Sequence, residues 1–267
     1  MNYHRAGSGK PLLLIHGIGG SWTSWGPVLS ALEKTNDVIA VDLPGFGTSA
    51  PLSGPVTIYT LADAITDFLK EKDLLGIDAV GSSMGARLVL ELARRGNILG
   101  SVVSLDPGGF WEGWERHALF ASLTISIKAV RALQSIMPLL TQSKLGRKVL
   151  FAQLSAHPDN ISPSLAISEM KNYAASSSFD ELLYNLVYGE EQQGSKKGSI
   201  KKPLVIAWGL NDYVCFPGQA QRAMDLFEDA RLYWFKNCGH FPHWDSPEET
   251  VHLINHVTQS NDGLLNL

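Results

Sequence analysis

The sequence predicts an α/β fold, a mostly parallel central sheet with helices on both faces and a helical insertion, and three observations lead there. Short continuous apolar runs recur at PLLLI (11–15), DVIAV (37–41), IDAV (77–80), SVVSL (101–105), PLVIAW (203–208) and RLYWF (231–235), the pattern of strands buried on both faces of a parallel sheet. Between several of these runs the apolar residues take helical spacing, with Leu61, Ile65, Phe68 and Leu69 on one face and Val251, Ile254 and Val257 on another. The alternation of strand and helix stops after Leu105 and resumes at Pro203, which marks an insertion in an otherwise regular α/β chain.

The expected organisation is a core built from residues 1–107 and 200–267 and a helical cap from 108–199. Within the cap, Ser162 and Pro163 read as the N-cap and first residue of a helix, and Ser178 with Glu181 as a capping box. Its most apolar stretch, Ala118 to Leu140, is interrupted by Lys128 and Arg131; a lipid-facing span would bear a high cost for both charges, so an amphipathic helix pair is expected and not a membrane anchor. The exit segment GSKKGSIKKP (194–203) reads as a solvated linker.

Bulk properties narrow the function. The 267 residues are 45% hydrophobic, enough for one large core, and the formal net charge is −4. No long-range field draws nucleic acid or an anionic membrane, and a small ligand without strong charge is the expected partner. Two cysteines, Cys215 and Cys238, form no disulfide framework and no zinc-ligand spacing. The N-terminal MNYHRAGSGK has polar residues and glycines where a secretory signal needs an apolar segment, so a cytoplasmic setting is expected.

The chemistry is carried by Gly81-Ser82-Ser83-Met84-Gly85, between an apolar run that reads as a strand and one that reads as a helix. Flanking glycines let the chain turn sharply and leave Ser83 at the apex, where a substrate carbonyl can reach it. A serine hydroxyl is a weak nucleophile unless a base takes its proton. The segment WFKNCGHFPHWDSPEE (234–249) offers His240, directly after a strand, with His243 as the less favoured candidate. Asp212, just past the strand in VIAWGLNDYVCF, is favoured to orient the imidazole, and Asp106, also past a strand end, competes with it. The glycine-rich loop after LLLI (12–15) can turn backbone N–H groups inward, so the N–H groups of Ile18 and Met84 are the expected oxyanion donors.

With these residues the chain resembles the α/β-hydrolase superfamily, in the branch with a helical cap. The motifs are His16-Gly17-Ile18-Gly19, the turn Asp42-Leu43-Pro44-Gly45-Phe46-Gly47-Thr48-Ser49, the Ser83 elbow, Gly209-Leu210-Asn211-Asp212 and Gly239-His240. The resemblance implies Ser83 as nucleophile, His240 as base, Asp212 as acid, and Ile18 and Met84 as oxyanion donors; it makes His16 and the Asp42 turn structural. Two departures stand out. NYHRAG (2–7) looks like the family's second strand, so the usual first strand is expected to be absent. Arg87 stands after Ala86, where related enzymes often have a second small residue.

The expected activity is a carboxylesterase-like serine hydrolase acting on short to medium acyl esters, with no metal and no organic cofactor. Cap residues Trp111, Phe120, Leu123, Ile127 and Met137 are candidates to roof an acyl pocket, and Trp22, like Trp25, is either a pocket wall or a core anchor. One alternative is a carbon–carbon hydrolase of dienoate ring-fission products, which needs a cation for its substrate carboxylate; Arg116, Arg131 and Arg147 are the candidates. A ligand-binding member of the fold with low turnover is the other.

Overall fold

The computed structural model describes residues 1–259. Each apolar run named above forms a strand, and a further strand precedes them: β1 (Tyr3–Gly7), then β2 (Lys10–Ile15), β3 (Asn36–Val41), β4 (Ile77–Ser82), β5 (Leu99–Leu105), β6 (Leu204–Gly209) and β7 (Arg231–Phe235). They make one sheet in the order β1-β3-β2-β4-β5-β6-β7. NYHRAG supplies β1, the antiparallel edge strand on β3, and every other pairing is parallel.

The inner strands β2 to β6 are mostly apolar and buried because both faces of the sheet are covered. In β2, Leu13 and Ile15 pack with one cluster while Leu12 and Leu14 pack with the other, the period of two that a pleated strand imposes. The first cluster is closed by α2 (Ile58–Glu71), α3 (Met84–Arg95) and α9 (Gln219–Leu226), the second by α1 (Gly26–Leu32) and α10 (Pro247–Gln259). Helix α2 starts at a reciprocal cap in which the Thr57 and Thr60 hydroxyls each accept the other residue's backbone N–H.

Five helices lie between β5 and β6: α4 (Trp114–Ala132), α5 (Met137–Gln142), α6 (Lys144–Leu150), α7 (Pro163–Ala175) and α8 (Phe179–Tyr188). The apolar stretch 118–140 is thus the helix pair α4 and α5. Helices α4, α5 and α7, with the segment between α6 and α7, share a small core made by Val130, Met137, Phe151, Ile161, Ala166 and Met170, whereas α8 packs into the main core. Ser162 caps α7 by accepting the Leu165 N–H, with Pro163 at the first position. At α8 the expected capping box does not form. Ser178 makes no side-chain cap bond, and Glu181 instead accepts the Val56 N–H from the loop before α2. A tertiary partner outcompetes the local one.

The sheet order places the site. Strand β2 continues to one side with β3 and to the other with β4, so the loops leaving β2 and β4 diverge at their carboxyl ends. This is the switch point at which open α/β sheets form a crevice. Strands β5, β6 and β7 deliver their own C-terminal loops to the same edge. Among the described residues, no helix is long and apolar enough to cross a membrane.

Candidate active site

Ser83 occupies the corner between β4 and α3 with φ 58° and ψ −116°, a conformation that L-residues rarely adopt and that marks functional strain. The glycines of the motif have a steric reason. A Cβ on Gly81 would collide with the Gly85 carbonyl, and one on Gly85 with the carbonyl oxygens of Ile15 and His16. All of these obstacles are backbone, so nothing flexible can give way. Gly85→Ala is therefore expected to destabilise the protein by about 3 kcal/mol, the upper part of the usual overpacking range. The urea midpoint measures this; a loss under about 1 kcal/mol would mean that α3 can withdraw from β2.

Three side chains from separate loops meet at this corner. His240 Nε2 lies 2.7 Å from Ser83 Oγ, and His240 Nδ1 lies 2.8 Å from Asp212 Oδ2. All three are buried, His240 to 1% exposure. The other carboxylate oxygen of Asp212 accepts the N–H groups of Val214 and Cys215 at 2.7 and 2.9 Å. Asp212 is thereby locked with one oxygen toward the imidazole. A hydroxyl, an imidazole and an oriented carboxylate in series can pass the hydroxyl proton to Nε2 while the carboxylate holds Nδ1–H.

Asp106 follows β5 at φ 49° and is fully buried. Its Oδ1 accepts the Gly209 N–H at 2.8 Å, and it makes no bond to His240. Burial, reinforced by the neighbouring Asp212 charge, holds its carboxyl well above the ordinary range. Of the two candidate acids, Asp212 is the one in contact with the imidazole. Cys215 also lies within 4.8 Å of Asp212 and His240, but burial pushes its thiol up and keeps it protonated.

The loop after β2 is organised by His16. The Leu43 N–H donates to His16 Nε2 at 3.1 Å, so Nδ1 carries the proton and donates to the Gly17 carbonyl at 2.7 Å. Burial lowers the pKa of this ring, which favours the neutral form that such an arrangement needs. Asp42 ties the facing turn, accepting the N–H groups of Trp22 and Thr48. The loop places Gly17 against the Ser83 side chain. The Met84 N–H belongs to the first turn of α3, which has no intrahelical partner, and neither it nor the Ile18 N–H donates to a protein acceptor among the described residues.

Ser83 and His240 open into a cavity lined by the β2 loop, by α4, α6 and α7 with the segment after α6, and by Phe241, His243 and Trp244. Of the six residues expected to shape a pocket, Leu123 lines it. The other five lie elsewhere. Ile127 and Met137 are fully buried in helix packing. Phe120 packs edge-on against Tyr184 and Tyr188, Trp111 borders a separate groove beside Arg87, and Trp22 stacks on His4 at 4.7 Å. Trp25 is a core anchor, fully buried and packed at a tilt against His243. The walls are instead Val130, Leu150, Phe151, Leu154, Met170 and Tyr173, from turns of the helices whose orientation only the tertiary packing decides.

Arg87 has an account here. It is 2% exposed and donates to the Leu186 and Glu190 carbonyls at 3.1 and 2.7 Å, joining α3 to the end of α8. Burial lowers its pKa to about 10, so it stays charged. The three arginines considered for a substrate carboxylate are engaged away from the cavity. Arg116 pairs with Glu191 and Arg131 with Asp180, while Arg147 donates to the Thr141, Gln142 and Asp159 carbonyls.

One cavity residue has no trace in the sequence reading. Glu169, in the middle of α7, is buried, and both of its oxygens lie 2.9–3.0 Å from Ser24 Oγ. Burial raises its pKa to about 8, while burial lowers that of His243 to about 3. Their effects on stability have opposite signs. Between about pH 4.5 and 8 the folded state holds a proton on Glu169 that the unfolded state has lost, so stability falls as pH rises. Between about pH 3 and 6.5 the unfolded state holds a proton on its histidine that folded His243 lacks, so stability rises. The two oppose each other between about pH 4.5 and 6.5, and above that Glu169 lowers stability in the same direction as Asp106, whose carboxyl is also raised. The Glu169 share of the decline from pH 6.5 to 8 is expected to reach as much as about 1.4 kcal/mol per unit, and Glu169→Gln to remove that share. Urea titrations at four pH values measure it; equal slopes in both proteins would show that Glu169 is ionised when folded.

A mostly parallel sheet with a strained Ser83 elbow at its switch point, and Asp212 and His240 on the following loops, defines an α/β hydrolase. The chain belongs to the Alpha/beta hydrolase family, whose model matches residues 12–253. It is 26% identical to Lipase 3 of a Moraxella species over 96% of this chain and 79% of that protein. It is 24% identical to a 2-hydroxy-6-oxo-2,4-heptadienoate hydrolase of Pseudomonas putida over 98% of this chain and 93% of that protein. A thermophilic esterase from Thermogutta terrifontis shares the fold with a TM-score of 0.72 at 19% identity, covering 96% of this chain and 91% of that one.

Proposed function

We propose that the protein is a serine esterase that cleaves carboxylic esters with short to medium acyl chains through an acyl-enzyme. The observation that carries this reading is the hydrogen-bonded series Ser83, His240, Asp212 opening into a cavity with largely apolar walls. Ser83 Oγ attacks the ester carbonyl as His240 Nε2 takes its proton, and the oxyanion is received by the N–H groups of Ile18 and Met84. His240 then gives the proton to the departing alkoxide, leaving the acyl group on Ser83. Water, deprotonated by the same nitrogen, releases the acid and restores the serine. No metal or organic cofactor enters any step, and the partner is a small ester.

In this reading residues 108–199 act as a cap on a core made of 1–107 and 200–267. Its walls, from Leu123 to Tyr173, set the acyl length that fits. The two buried, unpaired thiols of Cys215 and Cys238 suit a reducing cytoplasm.

Release of nitrophenol from a chain-length series of p-nitrophenyl esters tests the reading, with an optimum in kcat/KM expected between about two and eight carbons, an order-of-magnitude range for a pocket of small-ligand size. The name of the Pseudomonas putida relative keeps dienoate cleavage as a second reading. Against it, no arginine or lysine lines the cavity to receive the substrate carboxylate. Faster turnover of a ring-fission dienoate than of every ester would reverse the order of the two. Tight binding of a small molecule with negligible turnover of either class would favour the ligand-binding alternative.

A further inference from the structure

We propose that Glu169 and Ser24, together with the rings of Tyr173, Phe241 and Trp244 in the same cavity, form a subsite for an ammonium group, so that the ester taken by this protein carries a positive charge. The reaction named here rests on the esterase reading; the binding site itself does not.

Glu169 is 7% exposed, and among the described residues its only hydrogen-bond partner is the Ser24 hydroxyl, which is itself held by the Ser21 N–H at 3.2 Å. An ionised carboxylate has about four lone-pair sites, so most of its accepting capacity is unmatched by protein. No lysine or arginine lines the cavity to balance it. A buried carboxyl with so few partners is costly to a fold even when burial keeps it protonated, and the neighbouring contacts do not need this one. Helix α7 is already tied to the Trp22–Trp25 turn by Ser168 with Thr23 and by Asn172 with Ser21 and Thr23. Glu169 adds one bond to an interface already made and presents a carboxyl to the cavity.

The surrounding surface fits a cation. Tyr173, Phe241 and Trp244 line the same space, and Phe241 and Trp244 lie 4.3 Å apart, centre to centre. Aromatic faces attract ammonium groups, more strongly when water is excluded. A neutral hydroxyl could occupy one carboxyl oxygen but would give Glu169 no reason to ionise, whereas a cation is the one partner that gains from the ionised form. Because burial holds Glu169 protonated up to about pH 8, an arriving cation must displace that proton. Affinity for a cation should therefore grow with pH, by up to about tenfold per unit below pH 8.

The test compares two isosteric ligands, the methyl esters of 4-(trimethylammonio)butanoate and 5,5-dimethylhexanoate, by calorimetry with the Ser83→Ala protein, so that no turnover is required. The expected result is tighter binding of the ammonium ester at pH 8, by at least about tenfold, with the preference shrinking as pH falls to 6. Introducing Glu169→Gln into the same protein should remove both the preference and its pH dependence. The other groups of the cavity that exchange protons, His16, His240, His243 and Tyr173, remain in that variant, as does Asp212 behind His240, so the slope that disappears belongs to Glu169. Equal affinity for the two esters at pH 8, or a preference that Glu169→Gln leaves intact, overturns the proposal. A parent protein that binds the ammonium ester while the wild type hydrolyses no ester would sink the esterase reading and leave the subsite standing.

Discussion

Replacing Ser83 with alanine is expected to lower ester hydrolysis by about 10⁶-fold, the loss seen when the nucleophile of a serine triad is removed, while the protein stays folded. The two halves of this expectation have separate causes. Activity goes because, among the described residues, no other hydroxyl contacts His240 Nε2; Ser83 Oγ is its partner at 2.7 Å. The fold stays because the elbow is held by backbone. Ser83 N–H donates to the Leu105 carbonyl, and the Ser83 carbonyl accepts from Arg87 and Gly108, bonds that alanine keeps. The cost of φ 58° is common to both residues. What changes is one buried bond, worth about 1 kcal/mol. Nitrophenol release and a thermal melt on the same preparation check both halves. Residual activity within tenfold of wild type would mean that Ser83 is not the attacking group, whatever its geometry.

How far the sequence disclosed this site depends on whether each feature is a local steric demand or a product of packing. The elbow is legible because its geometry tolerates only glycine at positions 81 and 85, where backbone oxygens stand in the way of any Cβ. Strands are legible because burial on both faces forces continuous apolar runs. The cavity walls are not. On α4, Leu123 and Ile127 are one turn apart, both apolar and both packed in the core, yet only Leu123 also borders the cavity. That distinction is set by where α6 and α7 lie, which no spacing encodes. Glu169 is hidden for a related reason. A glutamate in a helix reads as a solvated residue, and only the approach of the Ser24 turn and the surrounding rings makes it a buried acid. Arg87 is the intermediate case: its departure from a small residue was visible, but its partners, two carbonyls at the end of α8, were about a hundred positions away.

Asp212→Asn is expected to lower kcat by about 10⁴-fold, more than loss of charge alone would suggest, and the hydrogen bonds show why. Val214 and Cys215 N–H groups both donate to Asp212 Oδ1, so the amide oxygen of the replacement must take that place. Its NH₂ group then faces His240 Nδ1 and donates to it. The imidazole is forced to carry its proton on Nε2, the nitrogen that should receive the proton of Ser83. Asp106 cannot restore the tautomer, since its bound oxygen is committed to the Gly209 N–H and it makes no bond to His240. Asp106→Asn should accordingly cost less than about tenfold, because an amide oxygen can keep the Gly209 bond. The pair of kcat values decides between the two acids. If Asp212→Asn stayed within tenfold of wild type and adding Asp106→Asn then abolished turnover, the acid would be Asp106, and the contact between Asp212 and His240 would be structural.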